Sequence, residues 1–172
     1  GQGAPLVPAF HQAQLARDGV ASGIVNIGGI TNVTLVSPEG QIQGWDTGPG
    51  NTLMDSWIAQ HRNIPFDQDG AWASSGKVIE PLLWALMTDP YFSQPSPKST
   101  GPEYFHLGWL NAQLTGEEMP ADVQRTLAEL TVESLARVLE SQNLDVVRIC
   151  GGGARNPLVL SRLTARLEAL DV

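Results

Sequence analysis

The sequence predicts a single α/β domain, and three observations carry this prediction. The chain has 172 residues, which is enough for one hydrophobic core and too short for two comfortable ones. Its first third is rich in β-branched residues separated by short turns, which indicates an antiparallel β-meander. Its last third combines helical spacing of apolar residues with one short apolar run that ends in three glycines.

The composition narrows the functional classes. The net charge is −8, and no run of Lys or Arg supplies the positive surface that nucleic-acid binding requires. No stretch of about twenty apolar residues could span a membrane, and the lone Cys150 cannot form an internal disulfide. We therefore expect a cytoplasmic protein with neither a nucleic acid nor a membrane as its partner.

Three strands are predicted in the first third of the chain. Gly28 and Gly29 form the turn after the first strand, residues 37–40 form the second turn, and residues 46–50 break the chain after the third strand. The three predicted strands cover residues 24–27, 31–36 and 41–45.

Two helices follow the meander. Apolar residues recur at helical spacing over residues 53–58, and Pro65 favours an end before Asn63. The second helix can accommodate Pro81 only in its first turn. Its predicted buried face consists of Val78, Ile79, Leu82, Leu83 and Leu86. Residues 89–107 are then too rich in proline for regular structure, and a loop of this length usually has a function.

The last third predicts a helix, a strand and a second helix. Asp122 is the expected N-cap of the first of these helices, just after Pro120. Residues 146–150 form a short strand that buries Cys150, a burial that argues against a nucleophilic role. Asn156 and Pro157 suit the N-cap and the first position of the final helix. The predicted apolar faces contain Val123, Leu127, Leu130, Leu135 and Val138, then Leu160, Leu163, Leu167 and Leu170.

Two glycine clusters are the candidate binding elements. A strand that ends in glycines lets backbone N–H groups approach an anion without a Cβ in the way, so phosphate or nucleotide is the natural ligand. Thr31 and Asn32 can add side-chain hydrogen bonds near Gly28 and Gly29, although a Gly-Gly hairpin is also a common purely structural turn. The second cluster, residues 151–153, lies before a helix N-terminus. Neither cluster matches the Walker A or the dinucleotide-binding pattern.

Two further segments are candidates for substrate contacts. Asp46 and Gly48 lie in the 46–50 segment, which could hold a sugar hydroxyl or a water-bridged Mg²⁺. An equally acceptable interpretation is that Asp46 caps the helix that begins near Asn51. In the proline-rich loop, the candidate substrate residues are Lys98, Ser99 and Thr100.

Several motifs together resemble one kinase family. The hairpin IVNIGGITNVT is similar to the second phosphate hairpin of the sugar kinase, Hsp70 and actin superfamily, in which many members carry Asp where this chain has Asn26. Four more segments narrow the resemblance to anhydro-N-acetylmuramic acid kinases: residues 1–11 (GQGAPLVPAFH), 46–51 (DTGPGN), 98–101 (KSTG) and 150–156 (CGGGARN). The resemblance spans essentially the whole chain.

The resemblance implies a fold and a reaction. It implies the C-terminal lobe of an actin-like ATPase fold, in which the meander is joined by a parallel strand and covered by helices. Enzymes of the family use ATP with Mg²⁺ to phosphorylate O6 of 1,6-anhydro-N-acetylmuramic acid while water opens the anhydro bridge, in peptidoglycan recycling. The expected partners are this amino sugar and ATP, with a homodimer as a further candidate.

The resemblance also assigns roles to residues. Gly28, Gly29, Thr31 and Asn32 would face the β- and γ-phosphates, and the residues that would face the adenosine and nearby phosphates are Gly151, Gly152, Gly153 and Asn156. Residues 1–172 would be a single nucleotide-binding lobe, with residues 1–20 as the tail of an active-site loop. The catalytic Asp and the N-terminal lobe with the first phosphate loop are expected upstream of Gly1, so no catalytic residue and no direct metal ligand is assigned here.

Two alternative functions remain open at this stage. A non-enzymatic actin-like nucleotide-binding or regulatory module could share both glycine elements. A sugar kinase for a different acceptor is the other alternative, because glycine loops report phosphate and say little about the sugar.

Overall fold

A mixed four-stranded sheet organises the computed structural model, which describes residues 19–168 of the chain. The strand order is β3-β2-β1-β4, with antiparallel pairing from β1 to β3 and parallel pairing between β1 and β4. The strands are β1 (Ser22–Ile27), β2 (Ile30–Val36), β3 (Ile42–Pro49) and β4 (Val146–Cys150). The predicted mixed α/β class and the antiparallel meander are therefore confirmed.

Helices follow the meander and surround the single late strand. No helix in residues 19–168 is long and apolar enough to cross a membrane. Short 3₁₀ turns at Gln68–Gly70 and Gly152–Arg155 precede α2 and α7. The helices are α1 (Thr52–Arg62), α2 (Ala71–Ser74), α3 (Glu80–Met87), α4 (Pro90–Ser93), α5 (Leu107–Asn111), α6 (Pro120–Ser141) and α7 (Pro157–Leu167).

The long helix α6 is the centre of the core. It packs against β3 and against α1, α2, α3 and α7, and most of its residues from Val123 to Ala136 are buried. Thr131 lies on this buried surface and donates its hydroxyl hydrogen bond to the carbonyl oxygens of Pro49 (2.8 Å) and Gly50 (3.0 Å). Helix α6 is thereby joined to the end of β3.

Ion pairs join the two C-terminal helices. Glu129 of α6 is 7% exposed and pairs with Arg162 of α7 at 3.3 Å. One helical turn later Glu133 pairs with Arg166 of α7 and with Arg137 of its own helix. Because the carboxylates are nearly buried, these pairs hold α7 in one position on α6 more firmly than exposed pairs would.

The structure corrects the predicted break after the third strand. Strand β3 continues through the 46–50 segment as far as Pro49. Its pairing with β2 shifts register between Thr31 and Asn32. Such an irregularity lets a strand containing Gly48 stay in the sheet, since a bulge accommodates an unusual backbone conformation without ending the ladder.

One capping prediction and one burial prediction are also wrong. Helix α6 begins at Pro120 with Met119 as its N-cap, and the Asp122 carboxylate instead accepts a hydrogen bond from the Lys77 amide at 2.9 Å. A proline at the first helical position already suits the start of a helix, so no side-chain cap is needed there. Cys150 is exposed rather than buried, because β4 is an edge strand of the described sheet.

The proline-rich segment has more structure than its composition predicts. It contains helix α4, and its two ends are joined by Asp89. The Asp89 carboxylate accepts hydrogen bonds from the Tyr91 amide (2.8 Å), the Tyr104 hydroxyl (2.7 Å) and the Trp109 indole (2.7 Å). A single carboxylate therefore replaces a regular hydrogen-bond ladder in ordering this loop.

The remaining helix predictions are largely confirmed. Leu53, Met54, Trp57 and Ile58 are buried in α1, which ends before Asn63 as expected. Pro81 does lie in the first turn of α3, although Val78 and Ile79 precede that helix. Asn156 caps α7, whereas Leu160 is only partly buried. Residues 1–18 and Leu170 lie outside the described residues.

The Thr131 hydroxyl is expected to contribute measurably to stability. Thr131→Val keeps the shape of the side chain but leaves the buried Pro49 and Gly50 carbonyls without this donor. We expect the free energy of unfolding to fall by roughly 1–3 kcal/mol in urea denaturation. Thr164→Val is the matched control, since Thr164 is an exposed helical threonine, and its effect should stay within about 0.5 kcal/mol. Equal effects of the two substitutions would contradict this account.

Candidate functional site

The Gly28–Gly29 hairpin is held from one side by the start of helix α1. The Gly50 amide donates to the Gly29 carbonyl oxygen (2.9 Å), and the Asn51 amide donates to the Gly28 carbonyl oxygen (2.8 Å). The Thr52 amide adds a further bond to the Gly29 oxygen at 3.0 Å. Both carbonyl groups of the hairpin are therefore occupied by the backbone that precedes α1.

The second glycine cluster crosses the same end of the sheet. It follows β4, which is parallel to β1, so both strands deliver their C-terminal ends to one edge. Gly153 lies so close to β1 that an added Cβ would be 2.7 Å from the Cβ of Ile27. At Gly152 an added Cβ would be 3.8 Å from the Asn51 Nδ2 atom. The fold thus brings the two predicted glycine clusters together, with Asn51 between them.

A cavity of about 610 Å³ opens beside Gly152 and Asn51. This volume is in the range of small-molecule sites. Phe66 contributes a ring that is 52% exposed, and the polar groups around it can donate and accept hydrogen bonds. The lining residues important for the chemistry are Asn51, Asp55, Phe66, Asp67, Gly152 and Asn156.

The predicted phosphate residues occupy different environments. Gly28 is partly exposed and Gly29 is exposed, so their backbone is accessible to a ligand. Thr31 is fully buried, its Oγ1 atom has no hydrogen-bond partner within residues 19–168, and Asn32 is 6% exposed. Direct contact of Thr31 or Asn32 with a phosphate stays a prediction, and it would require either side chain to become accessible.

Two of the four predicted adenosine residues line the cavity. Gly152 and Asn156 line it, whereas Gly151 is exposed and Gly153 is buried against β1. The Asn156 Oδ1 atom accepts hydrogen bonds from the amides of Leu158 (3.1 Å) and Val159 (3.3 Å). This side chain therefore caps α7 through its oxygen and offers its Nδ2 group as the donor for a ligand.

The predicted substrate residues lie around Asp46, away from the 610 Å³ cavity. The buried Asp46 carboxylate accepts a hydrogen bond from the Thr100 amide (3.0 Å), and the Asp46 amide donates to the Lys98 carbonyl oxygen (3.1 Å). Burial lowers the pKa of Lys98, whose Nζ donates to the Tyr91 carbonyl oxygen at 2.6 Å. Ser99 is exposed. The Asp46 contacts thus fix the predicted substrate loop to β3.

Gly48 belongs to the same region. An added Cβ there would lie 2.8 Å from the Phe92 ring and 3.2 Å from the Ser134 Oγ. Close packing accounts for glycine at this position, and a sugar contact of Gly48 or Asp46 stays a prediction. None of the five predicted substrate residues lines the 610 Å³ cavity.

Several cavity residues were not predicted from the sequence, among them Asp55, Phe66 and Asp67. Asp67 binds the start of helix α2, because its two carboxylate oxygens accept hydrogen bonds from the amides of Trp72 and Ala73, each at 2.9 Å. An aspartate a few residues before a helix could have indicated this cap. Asp55 had no comparable signal, since only the fold places it opposite Asp67.

Asp55 makes the stability of the domain depend on pH. Burial, with a smaller contribution from the charge of Asp67, raises the pKa of Asp55 to about 6. A carboxyl whose pKa is raised by folding stabilises the folded state fully below its unfolded pKa, near 4. That contribution is lost as pH rises through about 6. Above about pH 6, the ionised Asp55 carboxylate opposes folding.

Asp55→Asn should therefore stabilise the protein at pH 8 and leave its stability unchanged at pH 4. Because the side chain is only half-buried, we expect about 1 kcal/mol, or a rise in Tm of about 2–4 °C at pH 8. Thermal unfolding at both pH values measures this difference. Asp69→Asn is the control, an exposed carboxylate at the same cavity. A Tm gain of Asp55→Asn that is equal at pH 4 and pH 8 would refute the explanation.

One comparison with known proteins bears on this site. The family model AnmK, anhydro-N-acetylmuramic acid kinase, matches residues 1–172. The match includes both glycine clusters, the start of α1 and the loop around Lys98, which are the segments that carried the resemblance. Membership in this family implies an actin-like ATPase fold and an ATP-using kinase function in cell-wall recycling. The chain belongs to the anhydro-N-acetylmuramic acid kinase family.

Proposed function

We propose that this chain is the nucleotide-binding lobe of an enzyme that converts 1,6-anhydro-N-acetylmuramic acid, ATP and water into N-acetylmuramic acid 6-phosphate and ADP. The observation that carries the proposal is the meeting of the two glycine clusters beside a cavity of about 610 Å³. Family membership supplies the reaction class.

The reaction requires two coupled bond exchanges. Water attacks C1 of the sugar, the bond from C1 to O6 breaks, and the freed O6 attacks the γ-phosphorus of ATP. The bond from that phosphorus to the bridging oxygen breaks and releases ADP, while the proton of the attacking water passes to a general base. Catalysis of such a transfer depends mainly on positioning and on stabilisation of the phosphate charge.

The glycine elements are suited to the phosphates. The backbone at Gly28 and Gly29 is accessible, so its N–H groups can approach the β- and γ-phosphates without steric hindrance. The N-terminus of α7, an eleven-residue helix capped by Asn156, adds a favourable dipole for negative charge. We assign Thr31 and Asn32 to the support of the hairpin, because both side chains are buried.

The cavity is suited to the nucleoside. The exposed Phe66 ring offers a face on which a purine can stack, and Gly152 leaves space for the base beside it. Asp55 and Asp67 can accept hydrogen bonds from ribose hydroxyls or from an exocyclic amino group. Asn51 and Asn156 supply polar groups between the nucleoside and the phosphates.

Catalysis itself is assigned to residues outside the described structure. We propose that the base that activates water and the first phosphate loop belong to an N-terminal lobe that precedes Gly1. Within residues 19–168 no three His, Cys, Asp or Glu side chains are grouped to hold a metal ion. A nucleotide's Mg²⁺ takes most of its ligands from phosphates and water and needs at most one or two protein carboxylates. We therefore propose Mg²⁺ as the ion that enters with ATP, and we derive no step through it. The loop of Lys98, Ser99 and Thr100 remains our proposal for contacts with the sugar.

The activity of the full-length protein is the direct test of this proposal. We expect the full-length protein to convert the anhydro sugar to its 6-phosphate with release of one ADP per product, detected by mass spectrometry and a coupled ADP assay. N-acetylmuramic acid and N-acetylglucosamine serve as ordinary amino-sugar controls and should react much more slowly. The 172-residue chain alone should show no turnover. Turnover by this chain alone would place the catalytic base within it and contradict the proposal.

Gly152 provides a test of the nucleoside cavity. Within the described part of the chain, an added Cβ there meets only the Asn51 Nδ2 atom within 4 Å. A variant with a larger side chain at this position can therefore fold while that side chain fills the cavity. In the full-length enzyme Gly152→Leu should raise KM for ATP at least about tenfold by occluding the site, an effect of roughly 1.4 kcal/mol. Gly152→Ala should have a smaller effect, and KM for the sugar should change little in either variant. An unchanged KM for ATP in the leucine variant would exclude this cavity as the nucleotide site.

A further inference from the structure

The peptide groups of the hairpin have a fixed orientation. In a trans peptide unit the N–H points opposite to the C=O. The Gly28 carbonyl is held by the Asn51 amide at 2.8 Å, so the N–H of Gly29, which shares that peptide unit, points away from α1. In the described part of the chain this N–H has no hydrogen-bond acceptor. It is an oriented donor that no acceptor within residues 19–168 occupies.

Only glycine at position 50 allows this arrangement. An added Cβ at Gly50 would collide with the Gly28 carbonyl oxygen and would lie 2.9 Å from the Thr31 Oγ1 atom. Thr31 is fully buried and cannot move aside easily. The contact between residues 50–52 and the hairpin is therefore made by backbone against backbone, with no space for a side chain.

The same short segment also borders the cavity. Asn51 and, one turn later, Asp55 line the 610 Å³ space, while the amides of residues 50–52 hold the hairpin. The start of α1 is thus in contact with both parts of the proposed nucleotide site. Thr131 holds it in turn through the Gly50 carbonyl oxygen at 3.0 Å.

We propose that residues 50–52 are a positioning element, with Gly50 as its critical residue, that aims the Gly29 N–H at the polyphosphate of the bound nucleotide. This inference rests on the proposed function, since it assumes that the ligand is a nucleotide with its phosphates at the hairpin. The role is specific to phosphate recognition. Loss of the element should reduce the contribution of the phosphates to affinity and leave that of the nucleoside unchanged.

The test compares ADP with adenosine in the full-length protein. Gly50→Ala displaces the hairpin, and we expect the Kd for ADP to rise at least about tenfold in titration calorimetry, as for loss of a hydrogen bond to a charged group. The Kd for adenosine should change less than about twofold. KM should rise for ATP and not for the sugar. A merely structural defect would weaken both ligands and both substrates together.

Gly44→Ala, on strand β3 that immediately precedes Gly50, is the matched control. Gly44 is exposed, and an added Cβ there would lie 3.3 Å from the Val33 carbonyl oxygen, which a small shift relieves. It should leave both Kd values unchanged. An unaltered ratio of adenosine to ADP affinity in Gly50→Ala would overturn the inference. Failure of the proposed function can be distinguished from failure of this inference. If the proposed function is wrong, the wild-type protein itself binds ADP no better than adenosine.

Amide hydrogen exchange of the unaltered protein, followed by NMR, keeps the inference testable if Gly50→Ala does not fold. The amides of Gly50, Asn51 and Thr52 should be protected without ligand, and the Gly29 amide should exchange rapidly. ADP should protect the Gly29 amide at least about tenfold, whereas adenosine should not. Equal protection of Gly29 by both ligands, or by neither, would overturn the inference.

Discussion

The site depends on the close approach of three backbone segments at the end of β1. The Gly28–Gly29 turn leaves the sheet there, the start of α1 rests on its carbonyl groups, and Gly153 packs directly on Ile27. Contacts of this kind are possible only where side chains are absent. Because close-packed interiors do not yield easily to an added methyl group, the geometry of the hairpin is determined by its neighbours rather than by its own flexible sequence.

The topology explains why segments more than a hundred residues apart meet at this point. Strand β1 lies between the antiparallel β2 and the parallel β4, so the hairpin and the glycines after β4 emerge at one edge. Helix α6 then joins this edge to the rest of the domain through Thr131. Its buried Glu129 and Glu133 hold α7, and thereby fix the helix that Asn156 caps. Helix α6 thus supports both glycine elements without lining the cavity.

Sequence reasoning predicted the parts of this arrangement that depend on local patterns. The meander, α1, α6 and the Asn156 cap follow from β-branched runs, helical spacing and capping preferences. The pairing irregularity at Thr31 and the continuation of β3 depend on the neighbouring strand, so the glycines of the 46–50 segment were misread as a break. The proximity of Asp55, Phe66 and Asp67 arises from tertiary packing alone. The exposure of Cys150 likewise reflects its position on an edge strand.

The distribution of charge favours one orientation of a nucleotide in this site. Among the residues that the structure describes, the cavity lining contains three aspartates, Asp55, Asp67 and Asp69, and a single basic residue, Arg155. Carboxylates repel a polyphosphate across a partly desolvated space, whereas they accept hydrogen bonds from neutral hydroxyl and amino groups. The glycine elements and the α7 N-terminus offer donors instead of acceptors. Under the proposed function, the nucleoside is therefore favoured on the aspartate side and the phosphates on the side of the Gly28–Gly29 hairpin, with Asn51 at the boundary between them.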